Sequence, residues 1–97
     1  MSIPELETIV EELTKQTESK DLILYNDDHN SFNHVINCLT EYCDHKLSQA
    51  EQCALIVHHN GKCTVKKDYY EKLEPMCVAL LDNGLTAKIN NLWHIKD

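Results

Sequence analysis

The chain has 97 residues, 42% of them hydrophobic and 26% charged, with 16 acidic against 9 basic side chains and a formal net charge of −7. That length makes one small domain with a single core, and the composition is that of ordinary globular material rather than a disordered tail. The acidic balance argues against nucleic acid as a partner, because affinity there comes mainly from Lys and Arg neutralising phosphates; it suits a surface that docks on basic patches or captures amines.

Residues 1–20 carry Ile3, Leu6, Ile9 or Val10, and Leu13 at spacings of three to four, with Pro4 where a first helical turn tolerates it. They read as an N-terminal extension: a narrow-striped amphipathic helix, then the polar linker 15–20. Residues 21–97 form the domain proper. Glu5, Glu7, Glu11 and Glu12 exclude a cationic, apolar leader. No apolar run reaches the 18 residues of a membrane span, so no membrane partner is expected.

The first predicted strand, 21–25, is the apolar run Leu22-Ile23-Leu24-Tyr25 stopped by Asn26-Asp27-Asp28-His29-Asn30. The turn collects amides, two carboxylates and an imidazole at the edge of a core element. Such an acceptor-rich cluster suits a cation with several N–H donors. A helix follows over 31–43, with Phe32, Val35, Ile36, Leu39 and Cys43 on one face. After Asp44-His45-Lys46, Ser48 and Glu51 form a capping-box pattern. They open a helix to His59 that Asn60-Gly61 ends in a left-handed stop.

Residues 62–67 predict a second strand. Asp68 and Glu71 are an acidic start signal for a helix to Asn83, buried through Leu73, Met76, Cys77, Leu80 and Leu81. Pro75 either kinks that helix or moves the start of its regular part to about Glu74. Gly84 ends it, 85–90 is a third strand, and 91–97 is a tail with Trp93 as an anchor. The expected fold is α+β: a small three-stranded antiparallel sheet with helices packed on one face, in the order α-β-α-α-β-α-β.

Five cysteines, at 38, 43, 53, 63 and 77, form no C-x-x-C pair. All but Cys63 fall among apolar residues at helical spacing, as buried reduced thiols of a cytoplasmic protein do. Asn26-Asp27-Asp28 has two readings. A catalytic carboxylate pair needs environments that drive the two pKa values apart; otherwise these residues cap a turn or the next helix. His58 and His59 point about 100° apart on a helix, so they cannot hold one ion together without other ligands. No metal or cofactor is expected. His29, His34 and His45 would add ligands only if the fold gathered them. With only Gly61 and Gly84 there is no Gly-rich phosphate loop, and there is no G-x-S-x-G elbow. Catalysis by Cys and His stays open.

Tyr25-Asn26-Asp27-Asp28, the helix after it and Val57-His58-His59-Asn60-Gly61-Lys62 resemble the signature of the ClpS family, adaptors of the ATP-dependent Clp protease. The match covers about 21–65 and the last strand. The resemblance implies a non-enzymatic adaptor. It would bind the free α-amine and the large apolar first side chain (Leu, Phe, Tyr or Trp) of bacterial N-degron proteins and deliver them to a Clp-family unfoldase. Asn26, Asp28 and His58 match the residues that hold the α-amine. Asp27 and Asn30 match peptide-backbone positions, and Phe32, Val35, Ala54, Val57 and Thr86 match the side-chain pocket. The chemistry agrees: an ammonium has three donors, and an amide oxygen, a carboxylate and a neutral imidazole nitrogen supply three acceptors.

The chain departs from the family pattern at several places. Asn30-Ser31 stands where Pro is usual, Phe32 where Met often gates the pocket, Ala54 where a bulkier residue is common and Thr86 where Leu often contributes. Two rival readings are a small metal- or Cys/His-dependent enzyme, and a plain docking domain of the same fold whose pocket is filled by its own side chains.

Overall fold

The computed structural model describes residues 18–90. The expected N-terminal helical stripe and the Trp93 tail lie outside them. Six elements follow in order: β1 (Ser19–Tyr25), α1 (Phe32–Tyr42), α2 (Leu47–Asn60), β2 (Lys62–Tyr69), α3 (Tyr70–Asp82) and β3 (Thr86–Asn90). The strands form one antiparallel sheet in the order β2-β1-β3. The fold is α+β, as the sequence predicts.

β1 is the central strand and alternates as a half-covered strand should. Lys20, Leu22 and Leu24 are buried, while Asp21, Ile23 and Tyr25 are half-buried. It begins at Ser19 rather than Asp21, because Ser19 and Lys20 pair with Tyr69 and Asp68. The same pairing carries β2 to Tyr69, two residues past its expected end. Lys20 therefore belongs to the strand and not to a polar linker. Its ammonium is buried on the core face, 3.5 Å from Glu18.

The β1–β2 register slips once. Leu22 faces Lys66 and Ile23 faces Thr64, so Val65 is an extra residue on β2, a β-bulge. Its carbonyl accepts a 2.6 Å hydrogen bond from Nε2–H of His45, which is itself buried. His45 lies between α1 and α2, just after Asp44, whose φ of 57° turns the chain. That buried bond sets where α2 enters. Lys46 takes the cap position without a side-chain bond, and Leu47 is already helical. Ser48 and Glu51 thus sit inside the helix, and the expected capping box does not form. Among the described helices the side-chain cap is Ser31, whose Oγ accepts from the backbone N–H of His34 at 3.1 Å on α1.

At α3 the start signal also shifts. Asp68 stays in β2, and its carboxylate accepts from the Tyr69 backbone N–H at 2.7 Å. The helix begins at Tyr70 and runs through Pro75 without interruption. Pro75 and Glu71 are exposed, so the Glu71 carbonyl that loses its helical donor faces water. The core is built from Leu22, Leu24, Leu39, Leu73, Leu80 and the small apolar residues between them. Cys38, Cys43, Cys53 and Cys77 are buried within it, and Cys63 alone is half-buried. Among the described residues, no helix is long and apolar enough to cross a membrane.

Candidate functional site

The end of β1, the start of α1 and the end of α2 meet at one cavity. Gly61 takes a left-handed conformation, φ 90°, and its N–H caps α2 on the carbonyl of Val57 at 2.9 Å. Its own carbonyl accepts from the Asn26 backbone N–H at 2.8 Å. The turn after β1 is thereby tied to the last turn of α2. Between them lies a cavity of about 420 Å³. Leu24, Ala54, Val57 and Leu85, all buried, make its apolar base, with Val35 half-buried beside them. Phe32, 43% exposed, stands at the mouth. Asn26, Asp28 and His58 are exposed and line the same cavity.

The polar turn divides its residues between two tasks. Asp27 accepts from the backbone N–H groups of His29 and Asn30, at 3.1 and 3.2 Å, and from the Asn30 amide at 2.8 Å. Its other oxygen accepts from the Thr86 hydroxyl at 3.3 Å. The Asn30 amide also donates to the Gly84 carbonyl at 2.8 Å. His34 repeats the tie one turn on, with Nε2 donating to the Asn83 carbonyl at 2.8 Å. These bonds pin the turn to the approach of β3. Partial burial pushes the Asp27 carboxyl up, but the hydrogen bonds from Asn30, His29 and Thr86 together hold it below its ordinary value. The side chains of Asn26, Asp28 and His58, by contrast, make no hydrogen bond among the described residues. The His58 ring stands edge to face with the His59 ring, centroids 5.3 Å apart.

The arrangement thus offers an amide, a carboxylate and an imidazole, none hydrogen-bonded among the described residues, at the rim of a cavity with an apolar base. It is chemically suited to an ammonium group with an apolar substituent. Of the ten residues the sequence singles out, nine line the cavity: Asn26, Asp27, Asp28, Asn30, Phe32, Val35, Ala54, Val57 and His58. Thr86 does not. It is exposed and hydrogen-bonds Asp27, and the wall expected of it is supplied by its neighbour Leu85. Leu85 is the first apolar residue after the Gly84 turn, which is the signal that identifies it. Leu24 and Tyr25 also line the cavity and were not expected to.

The other constellations are engaged elsewhere. Among the described residues, no three His, Cys, Asp or Glu side chains gather as a metal site would require. The Cys38 sulfur lies 3.7 Å from Nε2 of His34, but that nitrogen carries the hydrogen given to Asn83 and cannot act as its base. Burial raises the Cys38 thiol, with Glu41 adding to it, and pushes that of Cys43 up to about 11.

A family model described as ATP-dependent Clp protease adaptor protein ClpS matches residues 7–88. No curated protein matches the chain.

Proposed function

Because the chain belongs to the ClpS family of Clp protease adaptors, we propose that it captures proteins by their first residue and hands them to a Clp-family unfoldase. The free α-amine enters between Asn26, Asp28 and His58. The first side chain, Leu, Phe, Tyr or Trp, fills the cavity over Ala54, Val57 and Leu85, under Phe32. The observation that carries this reading is three acceptors, without a hydrogen bond among the described residues, at the rim of an open cavity with an apolar base. Hydrogen bonds to a charged group contribute about 1.5–3 kcal/mol each. An acetylated or internal amide has no such charge and leaves acceptors unpaired.

Both hydrogens of the Asn30 amide are used by Asp27 and Gly84, which leaves its oxygen to accept from the peptide backbone. Asp27 and Thr86 contribute by holding the turn. The adaptor acts by binding and not by bond-making. Its free thiols fit a reducing compartment, and we place it in the cytoplasm. A docking domain with a self-filled pocket is disfavoured, since about 420 Å³ is left open.

The test is a titration with a labelled Leu- or Phe-initiated peptide and its acetylated twin. The free-amine peptide is expected to bind at least tenfold tighter. Equal affinity of the two would overturn the proposal.

A further inference from the structure

Alternation along β1 gives the sheet two faces. Leu22 and Leu24 are buried under the helices, and Cys63, Ala87 and Ile89 on the neighbouring strands pack against the same core. Asp21, Ile23 and Tyr25 belong to the other face. There Ile23 lies between Thr64 of β2 and Lys88 of β3, and Tyr25 between Lys62 and Thr86. Asp21 lies between Lys67 and Asn90. Ile23 and Tyr25 are half-buried, while Lys62, Lys67 and Lys88 are exposed.

An antiparallel sheet can leave one face to water, and its outward residues then read polar. Here the middle strand presents an isoleucine and a tyrosine, with lysines on the strands to either side. In a chain of net charge −7, that local sign is the reverse of the whole. Lys67 has Asp21 at 3.9 Å, whereas Lys62 and Lys88 form no ion pair among the described residues.

The chain carries the complement of this face. Residues 3–13 precede β1, the central strand, with only 14–18 between them. Wound as a helix, at about 100° per residue, they put Ile3, Leu6, Ile9, Val10 and Leu13 in one stripe. Glu5 and Glu12 fall on one flank of the stripe, and Glu7 and Glu11 on the other. Such a helix is about 16 Å long, against roughly 23 Å for β1. The linking residues reach at most about 17 Å, enough for the chain to turn back over its own strand.

We propose that residues 3–13 dock as an amphipathic helix on the open face of the sheet, with the apolar stripe on Ile23 and Tyr25 and the glutamates toward Lys62, Lys67 and Lys88. Both surfaces have one layout, apolar in the middle and charged on both flanks, with opposite signs. A helix this short is marginal in water by itself, so the sheet face is what holds it. The docking does not depend on the peptide-binding reading.

The experiment follows hydrogen exchange of the full chain by mass spectrometry. It also joins carboxylates to touching amines with a carbodiimide and separates the products by size. Amides of 3–13 are expected to exchange at least tenfold slower in the wild type than in a chain carrying Leu6→Asp and Leu13→Asp together. Links from Glu5, Glu7, Glu11 or Glu12 to Lys62, Lys67 or Lys88 are expected within one chain, and should vanish in that variant. Lys62→Glu with Lys88→Glu should speed exchange of 3–13 at least threefold, and adding Glu5→Lys with Glu7→Lys should slow it again. Equal exchange in the wild type and the Leu6/Leu13 variant, or links only to lysines off this face such as Lys46 and Lys72, overturns the docking. Exchange that the first charge reversal leaves unchanged, or that the second does not restore, overturns the assigned face. Links that join two chains give the face to a second copy and overturn the intramolecular docking.

Discussion

The backbone N–H of Asn26 donates to the carbonyl of Gly61 at 2.8 Å, and this bond joins the two polar clusters that make the site. It spans the turn after β1 and the turn after α2, elements far apart in the chain. It continues the β1–β2 ladder one step past the Tyr25–Lys62 pair and so brings Asp28 and His58 to the same cavity.

The first expectation concerns Gly61. Its φ of 90° disfavours any residue with a Cβ, although a Cβ there would meet nothing within 4 Å. The cost of substitution is therefore backbone strain alone, about 1–2 kcal/mol. Gly61→Ala should lower the thermal midpoint by a few degrees and weaken peptide binding, and Gly61→Asn should recover part of both. Calorimetry showing Gly61→Ala as stable as the wild type would contradict the left-handed stop.

Asp28→Ala and His58→Ala should each weaken binding of a free-amine peptide by about 2 kcal/mol or more. Both residues are exposed and neither side chain is hydrogen-bonded among the described residues, so the thermal midpoint should not move. A titration in which either variant matches the wild type would remove that residue from the site.

Acidification should weaken peptide binding through His58. A ring that accepts an ammonium hydrogen loses its lone pair on protonation and gains like charge. Affinity should therefore be lower in acid than at neutral pH. Gln offers an acceptor that does not titrate, so His58→Gln should bind with a flatter profile. Superimposable profiles for the two proteins would argue against this role.

Asp27 makes a separate prediction in acid. Its folded pKa is lowered, so its contribution to stability is complete above the unfolded value of 3.8 and is lost as pH falls through the folded value. As the pH falls below 3.8 and through the folded value, the amides of His29 and Asn30 should lose protection in hydrogen exchange. Asp27→Asn should show that loss already at neutral pH. Protection unchanged in the variant would mean the turn is held without the carboxylate.

Ala54 sets selectivity by volume. One methylene in an apolar pocket is worth about 1–3 kcal/mol of discrimination. With a residue this small in the wall, the cavity should tolerate Ile and Val at the first position. Ala54→Met should then penalise Ile- and Val-initiated peptides more than Leu- or Phe-initiated ones, because β-branching needs width close to the peptide backbone. Equal losses across all four would refute the volume argument.

Local chemistry was legible and long-range pairing was not. The Asn/Asp stop after β1, the helical spacing of Ile36 and Leu39, and the Asn60-Gly61 terminus act within a few residues, and each stands where its sequence pattern puts it. Nine of the ten residues that the family resemblance singles out line the cavity, at element ends or on a helical face. The errors arise where a distant partner decides. Ser48 and Glu51 carry the right pattern for a cap, but the buried bond from His45 to Val65 brings α2 in earlier. Asp68 resembles a helix start, yet its pairing with Lys20 keeps it in a strand. Leu85 stands just before β3 and is buried, whereas Thr86 opens the strand, is exposed and hydrogen-bonds Asp27.

The bulge at Val65 bears on how copies of this chain meet one another. β2 is an edge of the sheet, and an unpaired edge is a template for adding another strand. Here the ladder is broken partway along, and the carbonyl released by the break is already occupied by His45. Lys62, Lys66 and Lys67 stand along the same strand. A second copy laying its own β2 there would meet a twisted edge and its own positive charges. The bond that misleads a reading of where α2 begins thus also disfavours edge-to-edge pairing of two copies along a basic strand.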